Sequence, residues 1–207
     1  MHRLRSTFLR SVLQVCLALG LAAATQSEAA AQRAPAPAVL DAPSVTAAYI
    51  LNFIRFTEWP ATAGGKPGLA TPATPDAPYL IGVAGHRELL DALIQITEGQ
   101  RVRGHPLHVI NVKSTDDLLA CHVAYLAPPG GPYNDTTLRI PDALQALQGL
   151  PVLTFSNAPG FTRSGGVVQL FQEGQHLRFD IAADTARSLG LTIHSRLLAL
   201  ARPAPAP

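Results

Sequence analysis

The chain has 207 residues, a formal net charge of +2 and 14% charged residues, against roughly 25% in an average soluble domain. This length suffices for one domain of roughly 100–200 residues with a buried core. Only two of its sixteen cations are lysines and it has no long basic stretch, which argues against a nucleic-acid-binding arm.

The first 31 residues have the three parts of a secretory signal peptide. Arg3, Arg5 and Arg10 precede an uncharged apolar run over 11–24, and small residues at 29–31 offer a cleavage site. The run of about 14 residues is shorter than the roughly 20 that a membrane-spanning helix needs. We therefore expect residues 1–31 to be removed on export. The remaining chain has thirteen residues of each charge sign, and such a neutral domain has no electrostatic footprint for nucleic acid.

A helix is predicted over residues 45–59, after a Pro/Ala-rich tether at 32–43. Ser44 is a candidate N-cap, and Pro60 ends the apolar run. One stripe at helical spacing consists of Val45, Ala48, Tyr49, Phe53 and Phe56. Other apolar residues outside this stripe are Ile50, Leu51, Ile54 and Trp59. A helix that is apolar over more than half of its circumference is either buried on both sides or packed against a partner.

Strands and helices alternate along the next part of the chain. Strands are predicted over 79–84, 107–112, 122–127 and 152–155, and helices over 86–98, 115–120 and 141–148. The 86–98 helix is expected to bury Leu89, Leu90, Leu93 and Ile94 on one face. This alternation predicts parallel strands joined by right-handed crossovers.

The pattern changes after residue 165. Two alternating runs at 167–172 and 175–181, separated by Glu173-Gly174, predict an antiparallel hairpin. A helix over about 184–189 is expected to end at Gly190. The sequence therefore predicts a single α/β domain over 44–201, with a mixed sheet of parallel strands plus a C-terminal antiparallel hairpin flanked by helices, and a disordered tail at 202–207.

Catalytic and metal-ligating patterns are missing from the sequence. Neither G-x-S-x-G, S-x-x-K nor H-E-x-x-H occurs. His105 and His108 fall on opposite faces of a predicted extended segment and cannot share a metal ion. The segment 82–86 loosely follows a phosphate-loop pattern but lacks its Lys-Ser/Thr pair. We therefore expect no enzymatic activity, no cofactor and no bound metal.

Cys121 is the single cysteine that remains after residue 31. An internal disulfide is therefore impossible in the exported chain, and pairing with another chain is the alternative to a buried thiol. The neighbours of Cys121 are apolar on both sides, and free cysteine is among the most buried residue types, so burial is favoured.

The most distinctive loop covers residues 156–166. It follows the fourth predicted strand, at the end where open α/β sheets bind ligands. Pro159-Gly160 predicts a tight turn with Phe161 at its apex, and Gly165-Gly166 releases the chain into the hairpin. Two interpretations stay open. The loop is either a connector or a recognition loop that presents Phe161 and Arg163, residue types enriched at interface hot spots.

Four blocks of the sequence resemble the YfiR-like family. They are AAYILNFIRFTEWP at 47–60, CHVAY at 121–125, the segment 153–166, and RFDI at 178–181 leading to SRLL at 195–198. The blocks occur in order and span about 44–201. The resemblance implies a periplasmic, non-enzymatic α/β protein that binds the periplasmic sensor domain of an inner-membrane diguanylate cyclase, lowering cyclic di-GMP output and biofilm formation. The redox-linked disulfides of the best-studied relatives are not implied, because Cys121 has no intrachain partner.

These observations favour a negative regulator that binds a membrane signalling protein, either a diguanylate cyclase or a sensor kinase. The expected contact residues of the loop are Ser156, Pro159, Gly160, Phe161, Arg163, Gly165 and Gly166. Residues of the helix expected to serve as contacts or core are Tyr49, Phe53, Phe56, Glu58 and Trp59. A homodimer is left open. The second hypothesis is a small-molecule receptor domain that serves a sensor kinase, with its ligand in the cleft at the strand ends.

Overall fold

The structure is a computed structural model in which residues 42–61, 72, 74, 76–130 and 136–202 are described. The predicted signal peptide, most of the tether and the tail beyond Arg202 lie outside these residues. Within the described ranges, no helix combines the length and the apolar character that crossing a membrane requires.

Seven of the nine described strands form one mixed sheet. In chain order the strands are β1 (Thr57–Glu58), β2 (Tyr79–Ala84), β3 (Arg101–Val102), β4 (His105–Asn111), β5 (Val123–Leu126), β6 (Leu153–Ser156), β7 (Val168–Glu173), β8 (His176–Ile181) and β9 (Thr192–Ile193). The sheet order is β3-β4-β2-β5-β6-β7-β8, and β1 pairs with β9 in a separate antiparallel ribbon. Strands β4, β2, β5, β6 and β7 are parallel, and β3 and β8 are added antiparallel at the two sides.

Helices cover both faces of this sheet. They are α1 (Ala42–Arg55), α2 (Arg87–Thr97), α3 (Thr115–Leu119), α4 (Ile140–Ala146), α5 (Ala183–Ser188) and α6 (Ser195–Leu200), with a 3₁₀ turn at Thr162–Ser164. Buried residues of α1, α2, α5 and α6 belong to a larger core cluster, and those of α3 and α4 belong to a smaller one. The predicted mixed α/β fold is therefore confirmed, with element ends that differ by one or two residues in most cases.

The strands that follow β2 are added first on one side of it and then on the other. It leaves β2 through α2 to reach β4 on one side, and then passes through α3 to β5 on the other side. The strand order therefore has its switch point between β2 and β5, where open sheets of this kind bind ligands beyond the carboxyl ends of the strands. We call the side where β2, β5 and β6 end the carboxyl edge, and the side where they begin the amino edge.

Alternation along β2 divides its side chains between the two cores. Ile81 and Val83 belong to the larger cluster and Ala84 to the smaller. A Cβ at Gly82 would lie 2.6 Å from both the Cys121 Sγ and the Val112 Cγ2 atoms. Close packing therefore explains why residue 82 is a glycine, without a role in binding phosphate.

The prediction for the first helix was wrong in its bounds. The helix begins at Ala42, so Ser44 lies inside it and is not its N-cap. Pro43 occupies the first turn, where its missing N–H costs nothing. The helix ends at Arg55, and Thr57–Glu58 continue as strand β1 because they pair with β9.

The buried face of α1 also differs from the predicted stripe. Its fully or nearly buried residues are Ala47, Ile50, Leu51, Phe53 and Ile54. Val45, Ala48 and Tyr49 are half-buried and Phe56 is 38% exposed. Apolar residues surround more than half of this helix, so its periodicity does not select one stripe. In α2 the prediction for Ile94 was also wrong, since Ile94 is 49% exposed whereas Leu89, Leu90 and Leu93 are buried.

Cys121 is fully buried, which confirms the interpretation that the sequence favoured. Its Sγ atom lies 3.2 Å from the carbonyl oxygen of Asp117. Burial, with a smaller contribution from the Asp117 charge, raises the pKa of this thiol to about 12.

The reactivity of Cys121 tests this burial. The thiolate is the nucleophile, so a raised pKa leaves very little reactive form near neutral pH. We expect the chain from residue 32 onward to react with iodoacetamide at about pH 8 on the order of a hundredfold more slowly when folded than in guanidinium, as followed by mass spectrometry. Equal rates in the two conditions would show that the thiol is accessible in the native fold.

Candidate functional site

The loop between β6 and β7 is tied to the strands on both sides of it. The Ser156 hydroxyl donates to the Leu126 carbonyl oxygen at 2.6 Å and accepts from the Ala158 N–H at 3.1 Å. At the other end, the Val167 N–H donates to the Thr154 hydroxyl oxygen at 2.9 Å. Ser156 and Thr154 are both buried. Their hydroxyls therefore satisfy backbone groups at both ends of the loop, as buried polar groups require.

Phe161 anchors the middle of the loop. Its side chain is 1% exposed and belongs to the smaller core cluster. The Gly166 N–H donates to the Phe161 carbonyl oxygen at 3.0 Å, and a Cβ at Gly166 would overlap the Phe161 ring. This burial contradicts the interpretation in which the loop presents Phe161 to a partner. No α-helix occupies this crossover in the structure, so the loop itself supplies the large apolar side chain that covers the sheet there.

The opposite side of the loop is exposed. Pro159, Arg163 and Gly165 are exposed, whereas Ser156 and Gly166 are buried and Gly160 is half-buried. Gly165 has φ +99° and follows the 3₁₀ turn, a conformation that favours glycine. Of the seven loop residues predicted as contacts, only three are therefore exposed.

Arg163 is the cation of this exposed side. Its guanidinium lies beside Gly160, where a Cβ would be 3.3 Å from the Arg163 Nη2 atom. In the part of the chain that the structure describes, no carboxylate lies within ion-pair distance of it. The loop thus holds an uncompensated positive charge on a backbone fixed by its own hydrogen bonds.

A row of polar side chains that was not predicted from the sequence runs along the carboxyl edge. His86 is the N-cap of α2, and its Nδ1 accepts from the Leu89 N–H at 3.3 Å. Its ring lies 5.8 Å from the Tyr125 ring in an edge-on arrangement. The Tyr125 hydroxyl donates to the Asn157 Oδ1 at 3.1 Å. The ends of β2, β5 and β6 are therefore linked next to the loop.

Tyr125 is nearly fully buried, and this burial raises the pKa of its hydroxyl well above the ordinary value. The hydroxyl is therefore a neutral donor at physiological pH and holds the exposed Asn157 in place. The signal in the sequence was a tyrosine within a buried strand, since a buried tyrosine usually needs a partner for its hydroxyl.

The predicted contacts of the first helix are divided between core and surface. Phe53 and Trp59 are buried. Tyr49 is half-buried, and its hydroxyl donates to the Leu177 carbonyl oxygen at 3.1 Å. Only Phe56 and Glu58 are exposed.

These two exposed residues lie far from the loop along the strand direction. Arg103, in the turn between β3 and β4, donates from Nη1 to the Thr57 carbonyl oxygen at 2.7 Å, and its Nη2 is 3.5 Å from the Glu58 Oε1. That turn precedes β4 and therefore lies at the amino edge. The structure consequently does not bring the two predicted contact sets together.

The described ranges contain no group of three histidine, cysteine or acidic side chains that could hold a metal ion. His105 approaches the Ala77 carbonyl oxygen through Nδ1 at 3.2 Å and lies edge-on to the Tyr79 ring. His108 is exposed. His105 therefore has structural contacts, and His108 faces solvent.

Comparison with known proteins supports the resemblance seen in the sequence. No curated protein matches the chain significantly. A family model described as YfiR/HmsC-like matches residues 43–202, from the first turn of α1 through Arg202. This match includes the loop, the polar row at the carboxyl edge and both core clusters. The chain belongs to the YfiR/HmsC-like family.

Proposed function

We propose that this protein is a non-enzymatic periplasmic regulator that binds the periplasmic domain of an inner-membrane diguanylate cyclase and lowers its cyclic di-GMP output, and with it biofilm formation. The family match over residues 43–202 carries this proposal, because the family points to periplasmic regulators of such cyclases. Export through residues 1–31 is part of the proposal.

Inhibition follows from unequal affinity for two states of the partner. A protein that binds the inactive state of the cyclase more tightly moves the equilibrium toward that state. Each factor of ten in this preference corresponds to about 1.4 kcal/mol. The regulator therefore needs a binding surface and no catalytic group.

We place the partner contact on the exposed side of the loop, with Pro159, Arg163 and Gly165 as contacts. Several hydrogen bonds and the buried Phe161 ring fix this backbone, so little conformational entropy is lost when a partner binds. Ser156, Phe161 and Gly166 contribute by holding the loop. Phe56 and Glu58 form a separate exposed surface at the amino edge, which a binding assay can test on its own.

Charge reversal at Arg163 tests this assignment. The chain from residue 32 onward would be titrated against immobilised periplasmic domains of the diguanylate cyclases of the same organism. We expect Arg163→Glu to weaken binding at least tenfold, because arginine at a fixed interface position is a frequent hot spot. The control is Arg101→Glu, an exposed arginine in β3 at the amino edge whose side chain donates to the Gly104 carbonyl oxygen and pairs with Asp76. This variant should bind like the wild type.

One set of results would contradict the proposed contact surface, and another would contradict the proposed class of partner. Unchanged binding by Arg163→Glu would remove the loop from the interface, and a loss in Phe56→Ala would place the contact on the amino edge. Binding to a sensor-kinase domain, with none to any cyclase domain, would favour the alternative partner.

A further inference from the structure

A groove of about 580 Å³ lies between α4 and α5, next to β6. One wall is α4, with Leu144 and Gln145, and the other wall includes Ser188 of α5. Thr154 of β6 and Val152, the residue just before β6, also line the groove. None of the residues that line the groove is charged.

Thr154 gives this groove a buried polar group with unused capacity. It is 3% exposed, and its oxygen accepts the Val167 N–H. A threonine hydroxyl also carries one donor, and no acceptor for that proton occurs among the described residues. A molecule that displaces water from the groove leaves this donor unpaired unless it supplies an acceptor, so a ligand oxygen atom would be favourable there.

We propose that the groove binds an uncharged, mainly apolar small molecule that accepts a hydrogen bond from the Thr154 hydroxyl through a carbonyl or hydroxyl oxygen. The volume falls within the roughly 300–1,000 Å³ of small-molecule sites, which are mostly apolar with a few placed polar groups. A charged ligand would lose its hydration without gaining a counter-charge in this lining. The site differs from the cleft at the strand ends that the sequence suggested for a receptor.

The binding step is tested with Nile red, an uncharged apolar dye whose fluorescence rises on leaving water. The chain from residue 32 onward should bind it saturably at one site. Ser188→Trp and Gln145→Trp fill the groove from opposite walls, and each should weaken dye binding at least tenfold. Ser195→Trp makes the same change at an exposed helical serine outside the groove and should stay within twofold of the wild type.

The oxygen requirement is tested by displacing the dye with two molecules of similar shape, benzophenone and diphenylmethane. Benzophenone, which has a carbonyl oxygen, should displace the dye at about fivefold lower concentration, a difference of about 1 kcal/mol. Thr154→Val should remove this difference, and Thr154→Ser should keep it. Circular dichroism and thermal unfolding establish that each variant is folded. If one of the two filling variants does not fold, the other still tests the groove from the opposite wall.

Three results would overturn the proposal: no saturable dye binding by the folded wild type, wild-type affinity in both filling variants, or equal displacement by the two competitors in the wild type. Concentration-dependent self-association that the filling variants abolish, without dye binding, would also overturn it by assigning the groove to a second copy of the chain. None of these measurements uses the cyclase partner, so they are independent of the proposed function.

Discussion

Replacing Phe161 with alanine should lower the free energy of unfolding by about 3–5 kcal/mol, the usual cost of truncating a buried aromatic side chain. The ring is 1% exposed and sits in the smaller core cluster. Its loss leaves a cavity beneath a loop whose backbone cannot collapse freely, because both loop ends are bonded to strands. Denaturant unfolding of the chain from residue 32 onward measures the change.

Phe56 provides the matched control for this truncation. It is 38% exposed, so Phe56→Ala should cost less than about 1 kcal/mol. Equal costs for the two variants would contradict the burial of Phe161. It would also reopen the interpretation in which Phe161 is presented to a partner.

Adding one methyl group at Gly166 should destabilise the protein by about 1–3 kcal/mol, the usual cost of overpacking a core. The new Cβ would overlap the Phe161 ring, which is enclosed by the smaller core and cannot move aside without cost. Backbone strain plays no part, since Gly166 does not have a positive φ. Thermal or denaturant unfolding of Gly166→Ala measures this effect.

A double-mutant cycle assigns the cost to the ring. In the Phe161→Ala background the obstructing atoms are gone, so Gly166→Ala should then cost close to nothing. The two changes should therefore be non-additive by about 1–3 kcal/mol, as for residues in direct contact. Additive costs would contradict the contact between Gly166 and the ring.

Much of the sheet could be predicted from the sequence. The strands from Tyr79 to Ser156 alternate with helical segments, and that alternation implies parallel pairing. Glu173-Gly174 between two alternating runs marked the β7–β8 hairpin, whose register the structure confirms. These features depend on local pattern and chain connectivity alone.

The short strands could not be predicted. Strands β1, β3 and β9 have two residues each, which is too few for a period of two to be visible. Thr57–Glu58 therefore looked like the end of a helix. Their conformation depends on pairing with Thr192–Ile193, more than 130 residues away in the chain.

The sequence located the loop of the candidate site but did not show which of its side chains are exposed. The residue types at 156–166 indicated a loop of interest, yet which side of it meets the core depends on α4 and on β5, which are distant in sequence. Burial of Phe161 and exposure of Arg163 follow from that packing. The bond between Tyr125 and Asn157 likewise joins residues that only the sheet brings together.

We propose that this protein lowers cyclic di-GMP synthesis by contacting a membrane cyclase through the exposed side of the 156–166 loop, which carries Arg163. Cellular cyclic di-GMP, measured by mass spectrometry after deletion of the gene in the source organism, tests it most directly. We expect the level to rise, and to return to normal with the wild-type gene or Arg101→Glu but not with equally abundant Arg163→Glu. An unchanged level after deletion would contradict the account.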